Sequence, residues 1–160
     1  MQPMCRGICY IIRRGGKKML SKENIKVGVA VANWEEALTE AGTLLVKAGS
    51  CTEDYVKATI AAVHELGSYI VLAPHVALGH SRPSEAVKKS DISLVIPKEP
   101  VVFNHSSNDP VKLVFSFCAT DNESHLEVLG KLAGILGSPE SINQLAAATT
   151  VDEVMALILA

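Results

Sequence analysis

The 160-residue chain has the size of one ordinary domain, and its 48% hydrophobic and 20% charged residues are typical of a globular protein. A formal net charge of -2 argues against a general nucleic-acid binder, because such proteins are usually basic. No apolar run approaches the roughly 18–20 residues needed to span a bilayer, and four scattered cysteines are typical of the reducing cytoplasm. We therefore expect a cytoplasmic protein.

The first 18 residues differ from the rest of the chain. Five of them are basic, namely Arg6, Arg13, Arg14, Lys17 and Lys18. The apolar piece at residues 8–12 is too short for the apolar region of a signal peptide, and no small-residue cleavage site follows it. We therefore predict a weakly ordered leader at residues 1–18, or a natural start at Met19, before a single domain at residues 19–160.

The hydrophobic pattern of residues 19–160 predicts an α/β domain. Short apolar runs between polar, Gly or Pro residues predict strands over residues 25–30, 69–73, 91–97 and 111–118. Apolar residues at helical spacing predict two helices after the first strand and three after the last, with starts near Asn33, Thr52, Asn122, Pro139 and Thr150. The order strand, helix, helix, three strands, three helices predicts a three-layer α/β/α sandwich around a mixed sheet of about four to five strands.

The loop after the second predicted strand carries the residues best suited to chemistry. It contains His75, His80 and Arg82, and its backbone amides near Gly79 and Ser81 are expected to be free. A neutral imidazole can act as a nucleophile or a ligand, and arginine can pair with a phosphoryl group. The plainer alternative is that these are solvated loop side chains.

Other histidines lie elsewhere along the chain. His125 lies near the start of the helix after the last strand, and strand ends and helix starts of an α/β sheet often meet at one site. We therefore expect His125 to face His80, with an exposed first-turn residue as the alternative. His64 ends the second helix, where a protonated ring suits the helix dipole. We expect His105 to shape the polar turn at residues 104–110.

Three other kinds of site are disfavoured. His75 and His80, five positions apart in a loop, are a weak match to a metal site. The sequence contains no G-x-S-x-G motif of a serine hydrolase. It also contains no P-loop and no G-x-G-x-x-G motif of a nucleotide-binding enzyme.

The loop resembles a known active-site signature. Ala73-Pro74-x-Val76-Ala77-Leu78-x-His80-x-Arg82-Pro83 is similar to the signature of the enzyme IIA components of the bacterial phosphoenolpyruvate-dependent sugar phosphotransferase system, mannitol/fructose structural type. Arg82-Pro83 and the turn Phe103-Asn104-His105-x-x-Asn108-Asp109-Pro110-Val111 most resemble the ascorbate-type branch. The resemblance spans about residues 19–160 and includes Asp121-x-x-x-His125.

The resemblance implies a phosphocarrier. His80 would accept a phosphoryl group from phospho-HPr and pass it to a cysteine of enzyme IIB, which serves the membrane component IIC, and His125 would hydrogen-bond that group. Gly79, Ser81 and Arg82 would help to stabilise its negative charge. No metal, cofactor or nucleic acid is implied, and a homodimer stays open.

Two positions depart from the family pattern. Gly79 stands where the type usually has proline, which predicts a looser loop. His75 stands where the type usually has glycine, which predicts a rival imidazole beside the site.

Two functions stay open. One function is transport of a sugar such as ascorbate or a pentitol-like compound. The alternative is a regulatory, nitrogen-type enzyme IIA whose phosphorylation state controls a bound partner. The ascorbate-like residues favour transport.

Overall fold

The computed structural model describes residues 13–14, 17–18, 20–136 and 138–159. Strands β1 (Arg13–Arg14) and β2 (Lys17–Lys18) pair with each other in a short antiparallel ladder, separate from the main sheet. The predicted leader otherwise lies outside the described residues, so its weak order and the domain boundary stay predictions.

A mixed sheet forms the centre of the molecule. It contains β3 (Ile25–Val29), β4 (Val76–Gly79), β5 (Asp91–Pro97) and β6 (Leu113–Cys118), in the order β3-β5-β6-β4. The β5–β6 pair is antiparallel, whereas β3 runs parallel to β5 and β4 runs parallel to β6. The predicted mixed sheet is confirmed.

Helices flank this sheet in the predicted order. The described residues include α1 (Trp34–Lys47), α2 (Glu53–Leu66), α3 (Asn122–Leu136), α4 (Pro139–Ala146) and α5 (Val151–Leu159), with a 3-10 turn at Lys22–Asn24. Helix α1 begins at the predicted position, and Asn33 caps it because its side chain accepts a hydrogen bond from the amide of Glu36 at 2.9 Å. Helix α2 begins after Thr52, at the predicted start, although the Thr52 side chain makes no capping hydrogen bond.

Alternating side chains of the central strands fill two cores, one on each face of the sheet. Leu94 and Phe115 belong to the core that includes residues of α3, α4 and α5. Val95 and Val114 belong to the core that includes residues of α1 and α2. Because successive strand residues point to opposite faces, helices cover both sides, and the predicted three-layer sandwich is confirmed.

The second strand lies later in the chain than predicted. Residues 69 and 70 lie in a turn, in which the amide of Val71 donates to the carbonyl oxygen of Ser68, and residues 71–73 belong to no strand. Strand β4 pairs with β6 from Val76↔Leu113 onward. Ile70 and Val71 are apolar because they are buried in the core, and an apolar run does not by itself distinguish a strand from other buried backbone. Residues 76–79 of the predicted loop are therefore strand.

Across the described residues, no helix combines the length and the apolar character that crossing a membrane would require.

Candidate functional site

The topology brings two histidines together at one edge of the sheet. Because β4 and β6 are parallel, their carboxyl ends lie side by side. His80 directly follows β4, and His125 lies in the first turn of α3, which begins shortly after β6. The centroids of the two rings lie 5.4 Å apart, at an interplanar angle of 66°.

The ring of His80 is held by its neighbours on several sides. Phe117 stacks against it with ring centroids 5.3 Å apart and planes within 19° of parallel. Tyr69 meets it edge-on, with centroids 5.4 Å apart. Its Nδ1 atom lies 2.7 Å from the carbonyl oxygen of Leu78. Because that oxygen can only accept, the hydrogen of the neutral ring sits on Nδ1, and Nε2 keeps a free lone pair.

Burial favours the neutral form of both rings. It lowers the pKa of His80 below its usual range; the nearby His125 lowers it further and the hydrogen bond to Leu78 opposes the change. Burial also lowers the pKa of His125. The Nδ1 atom of His125 is buried and has no hydrogen-bond partner among the described residues. A buried polar atom of this kind favours a ligand that supplies the missing partner.

Two tyrosine hydroxyls hold the backbone that follows His80. The hydroxyl of Tyr69 donates to the carbonyl oxygen of His80 at 3.0 Å. The amide of Ser81 donates to the hydroxyl of Tyr55 at 2.9 Å, so the expectation of a free amide at Ser81 is wrong. Sequence reasoning did not single out either tyrosine for the site. No sequence pattern marks them, because two of the chain's three tyrosines come close to the motif residues only in the folded protein.

Gly79 is not the loose loop residue that the sequence predicted. It is the last residue of β4, is buried, and pairs with Ser116. A Cβ atom there would lie 2.8 Å from the Cδ2 atom of Leu38 on α1. Glycine therefore allows close packing of helix on strand, rather than mobility.

Ser81 and Arg82 directly follow His80 in the chain. Arg82 is exposed and makes no ion pair with any described residue. Its guanidinium is therefore accessible to a ligand, and the roles expected for Arg82, Ser81 and Gly79 toward a phosphoryl group stay predictions.

His75 does not lie beside His80, contrary to the prediction of a rival imidazole. The two residues lie at opposite ends of β4, roughly 16 Å apart at about 3.3 Å per residue. The Nδ1 atom of His75 hydrogen-bonds the carbonyl oxygen of Pro110 at 2.7 Å. Its backbone has φ 71°, a left-handed conformation that glycine adopts most readily, which accounts for glycine at this position in the family pattern.

His105 and His64 also lie apart from the His80–His125 pair. The Nδ1 atom of His105 accepts from the amides of Ser107 at 3.2 Å and Asn108 at 3.0 Å, which confirms its role in shaping the turn. His64 lies 3.8 Å from the carboxylate of Glu35 at the exposed end of α2. No group of three or more His, Cys, Asp or Glu side chains suited to a metal ion occurs in the part of the chain that the structure describes.

Comparison with known proteins identifies the class to which this fold and site belong. Residues 18–160 match the family model described as "Phosphoenolpyruvate-dependent sugar phosphotransferase system, EIIA 2". The protein is therefore a phosphotransferase of the kind that carries phosphoryl groups between proteins. It belongs to the EIIA 2 family of this sugar phosphotransferase system, as its sequence predicted.

Relatives and solved structures agree with this assignment. The chain is 35% identical over 141 residues to the ascorbate-specific PTS system EIIA component of Escherichia coli K12, covering 88% of this chain and 92% of that protein. It is similar to enzyme IIA of mannitol in its complex with phosphorylated enzyme IIB from Escherichia coli (TM-score 0.76, 31% identity, 86% and 95% covered). It is also similar to the nitrogen regulatory protein IIA-Ntr of Neisseria meningitidis (TM-score 0.74, 30% identity, 88% and 96% covered).

Proposed function

We propose that His80 is the phosphoryl acceptor of a sugar transport phosphocarrier. The observation that carries the proposal is the hydrogen bond from Nδ1 of His80 to the carbonyl oxygen of Leu78. It fixes the tautomer in which Nε2 is free of hydrogen, and burial keeps the ring neutral by lowering its pKa. A neutral, oriented imidazole nitrogen is the nucleophile that such a transfer requires.

The proposed phosphoryl transfer has two steps. The lone pair of Nε2 attacks the phosphorus of phospho-HPr, so that the N–P bond of the donor breaks as the new N–P bond forms. A thiolate of enzyme IIB then attacks the same phosphorus, and the bond to Nε2 breaks. Since phosphoryl transfer depends on positioning and on charge stabilisation, the packing of His80 between Phe117 and Tyr69 serves the reaction directly.

His125 orients the phosphoryl group in this proposal. Its ring lies 5.4 Å from that of His80, and its buried Nδ1 has no partner among the described residues. A phosphoryl oxygen at Nε2 of His80 would supply an acceptor for that nitrogen. A charge-assisted hydrogen bond of this kind is worth about 1.5–3 kcal/mol.

The phosphoryl group carries close to two negative charges at pH 7, which further groups must stabilise. The exposed guanidinium of Arg82 and the hydroxyl of Ser81 follow His80 in the chain and are the groups we assign to it, while Gly79 contributes by its small size. The proposed transfer requires no metal or cofactor.

The partners follow from the relatives. We assign phospho-HPr as donor and an enzyme IIB as acceptor, because the similar mannitol enzyme IIA forms a complex with phosphorylated enzyme IIB. The IIB protein would serve a membrane component IIC, from the cytoplasmic side. The similarity to the ascorbate-specific component favours ascorbate over a pentitol-like sugar. Residues 19–160 would carry this activity as one domain.

The test is a labelling experiment with purified proteins. Phosphoenolpyruvate with labelled phosphorus, enzyme I, HPr and candidate IIB proteins are incubated with the protein, and the label is mapped to a peptide. We expect label on His80 and onward transfer to the IIB of an ascorbate system. Label on another residue would refute the assignment of His80. Label on His80 without transfer to any IIB would instead favour the regulatory alternative.

A further inference from the structure

We propose that Tyr55 and Tyr69 are positioning residues that jointly hold the peptide group between His80 and Ser81 for phosphoryl transfer. This inference rests on the proposed role of His80 as acceptor. Neither tyrosine touches the reacting atoms, and both act through the backbone and ring of that histidine.

The two hydroxyls hold opposite ends of one rigid unit. The carbonyl of His80 and the amide of Ser81 belong to the same planar peptide group. Tyr69 donates to that carbonyl at 3.0 Å, and Tyr55 accepts from that amide at 2.9 Å. With both polar ends bound, the peptide plane cannot rotate without breaking a hydrogen bond.

Tyr55 also connects this peptide to the residue that stacks on the acceptor. Its hydroxyl donates to the carbonyl oxygen of Phe117 at 2.8 Å while it accepts from Ser81. The side chain is only 2% exposed, and burial raises the pKa of Tyr55, so the hydroxyl keeps its hydrogen for this bond. One hydroxyl therefore fixes the distance between the segment after β4 and the end of β6.

Tyr69 holds the acceptor through its ring as well as its hydroxyl. Its ring meets that of His80 edge-on at an angle of 80°, while Phe117 stacks on the same imidazole. Rotation of the His80–Ser81 peptide would change the backbone angle next to the imidazole and would displace Ser81 and Arg82. The geometry of the nucleophile and of the proposed charge-stabilising groups therefore depends on the same two hydrogen bonds.

Removal of each hydroxyl tests the inference with little change in packing. Tyr55→Phe and Tyr69→Phe keep the aromatic rings and delete only the hydrogen bonds. Each lost bond is an ordinary neutral one, so we expect kcat for phosphoryl acceptance to fall about three- to tenfold, with an unchanged KM for phospho-HPr. Because both bonds act on one peptide group, the double variant should lose less than the product of the two single losses.

Ser93→Ala is the matched control. Ser93 is buried, and its hydroxyl donates to the carbonyl oxygen of Ala41 at 2.7 Å in the core, with no hydrogen bond to His80. It should lower the unfolding temperature as the tyrosine variants do, yet leave kcat unchanged. Tyr69 is only partly buried, so Tyr69→Phe provides a folded variant even where Tyr55→Phe is unstable.

The outcomes separate this inference from the proposed function. If the parent protein is not labelled on His80, the proposed function fails. If the parent is labelled on His80 and both tyrosine variants match its kcat, the positioning role is refuted while the acceptor stands. A fall in kcat equal to that of Ser93→Ala, at equal loss of unfolding temperature, would also refute the positioning role.

Discussion

The Nδ1 atom of His80 is hydrogen-bonded to the carbonyl oxygen of Leu78, two residues earlier in the chain, at 2.7 Å. The bond exists because β4 ends at Gly79, so the histidine leaves the sheet and its ring folds back over the last strand residues. A backbone acceptor within a buried strand cannot move away, so the tautomer of the imidazole is set by the fold. The chemistry proposed for Nε2 depends on this short-range contact.

We expect His80→Ala to abolish labelling from phospho-HPr, because the variant lacks the nitrogen that forms the N–P bond. Loss of ring packing against Phe117 and Tyr69 should lower the free energy of unfolding by about 1–2 kcal/mol. The measurements are label incorporation over time and thermal unfolding. Normal labelling of this variant would rule out His80 as acceptor.

His80→Ala and His125→Ala should affect phosphoryl transfer differently. His125→Ala leaves the acceptor in place but removes one donor to the phosphoryl oxygens. Loss of a bond worth about 1.5–3 kcal/mol, made preferentially in the transition state, slows transfer about ten- to a hundredfold. We therefore expect slow labelling or slow transfer to IIB, measured as time courses of both steps.

His125→Gln provides a graded control for this prediction. Its amide offers a donor of similar reach without an imidazole, so it should recover part of the lost rate. Unchanged rates of both steps in His125→Ala would show that His125 does not take part in transfer.

The pH dependence of labelling should reflect the environment of His80. Protonation of Nε2 blocks attack, and burial, with a smaller effect of His125, places the pKa of His80 below its usual value of about 6.5. As pH falls, the rate should therefore decline with a midpoint below pH 6.5. In His125→Gln, which lacks the neighbouring imidazole, the decline should begin at higher pH.

Comparing these two proteins cancels the pH dependence of phospho-HPr itself. The measurement is the initial labelling rate of each protein across a pH series with the same donor preparation. A decline centred above pH 6.5 in the parent would contradict the lowered pKa of His80, and an identical profile in the two proteins would show that His125 does not contribute to it.

The sequence predicts the architecture well because burial patterns repeat along it. Buried strands such as Asp91–Pro97 are mostly apolar, and N-cap residues mark the starts of helices, as Asn33 does for α1. The misplaced second strand shows the limit of this reasoning. Residues 69–73 and 76–79 are both apolar and, apart from the exposed Leu72, largely buried. Only pairing with β6 decides which of the two segments is strand.

The site could be predicted only in part, for a related reason. The proximity of His80 and His125 follows from the rule that parallel strand ends and helix starts share an edge. The hydroxyl contacts of Tyr55 and Tyr69 depend on side-chain directions between elements distant in the chain, which no local pattern encodes. The misplacement of His75 followed directly from that of the strand, since a residue in a loop and one at the far end of β4 have the same spacing to His80.

A chain that begins at Met19 should keep both fold and phosphotransfer. The β1–β2 ladder belongs to a sheet of its own, and the family match begins at residue 18. We therefore expect equal labelling rates and unfolding temperatures for the full and shortened proteins. A melting temperature lowered by many degrees would show that the leader stabilises the domain.

The last prediction concerns the backbone at His75. Both His75→Gly and His75→Ala lose the hydrogen bond to the carbonyl oxygen of Pro110, but only glycine adopts φ 71° without strain. The glycine variant should therefore be more stable than the alanine variant by about 1 kcal/mol, measured by denaturant unfolding. Both variants should be labelled at the parent rate, because His75 lies at the far end of β4 from His80. A slow rate in both variants would place His75 in the reaction, and equal stabilities would show that the left-handed conformation at this residue carries no cost.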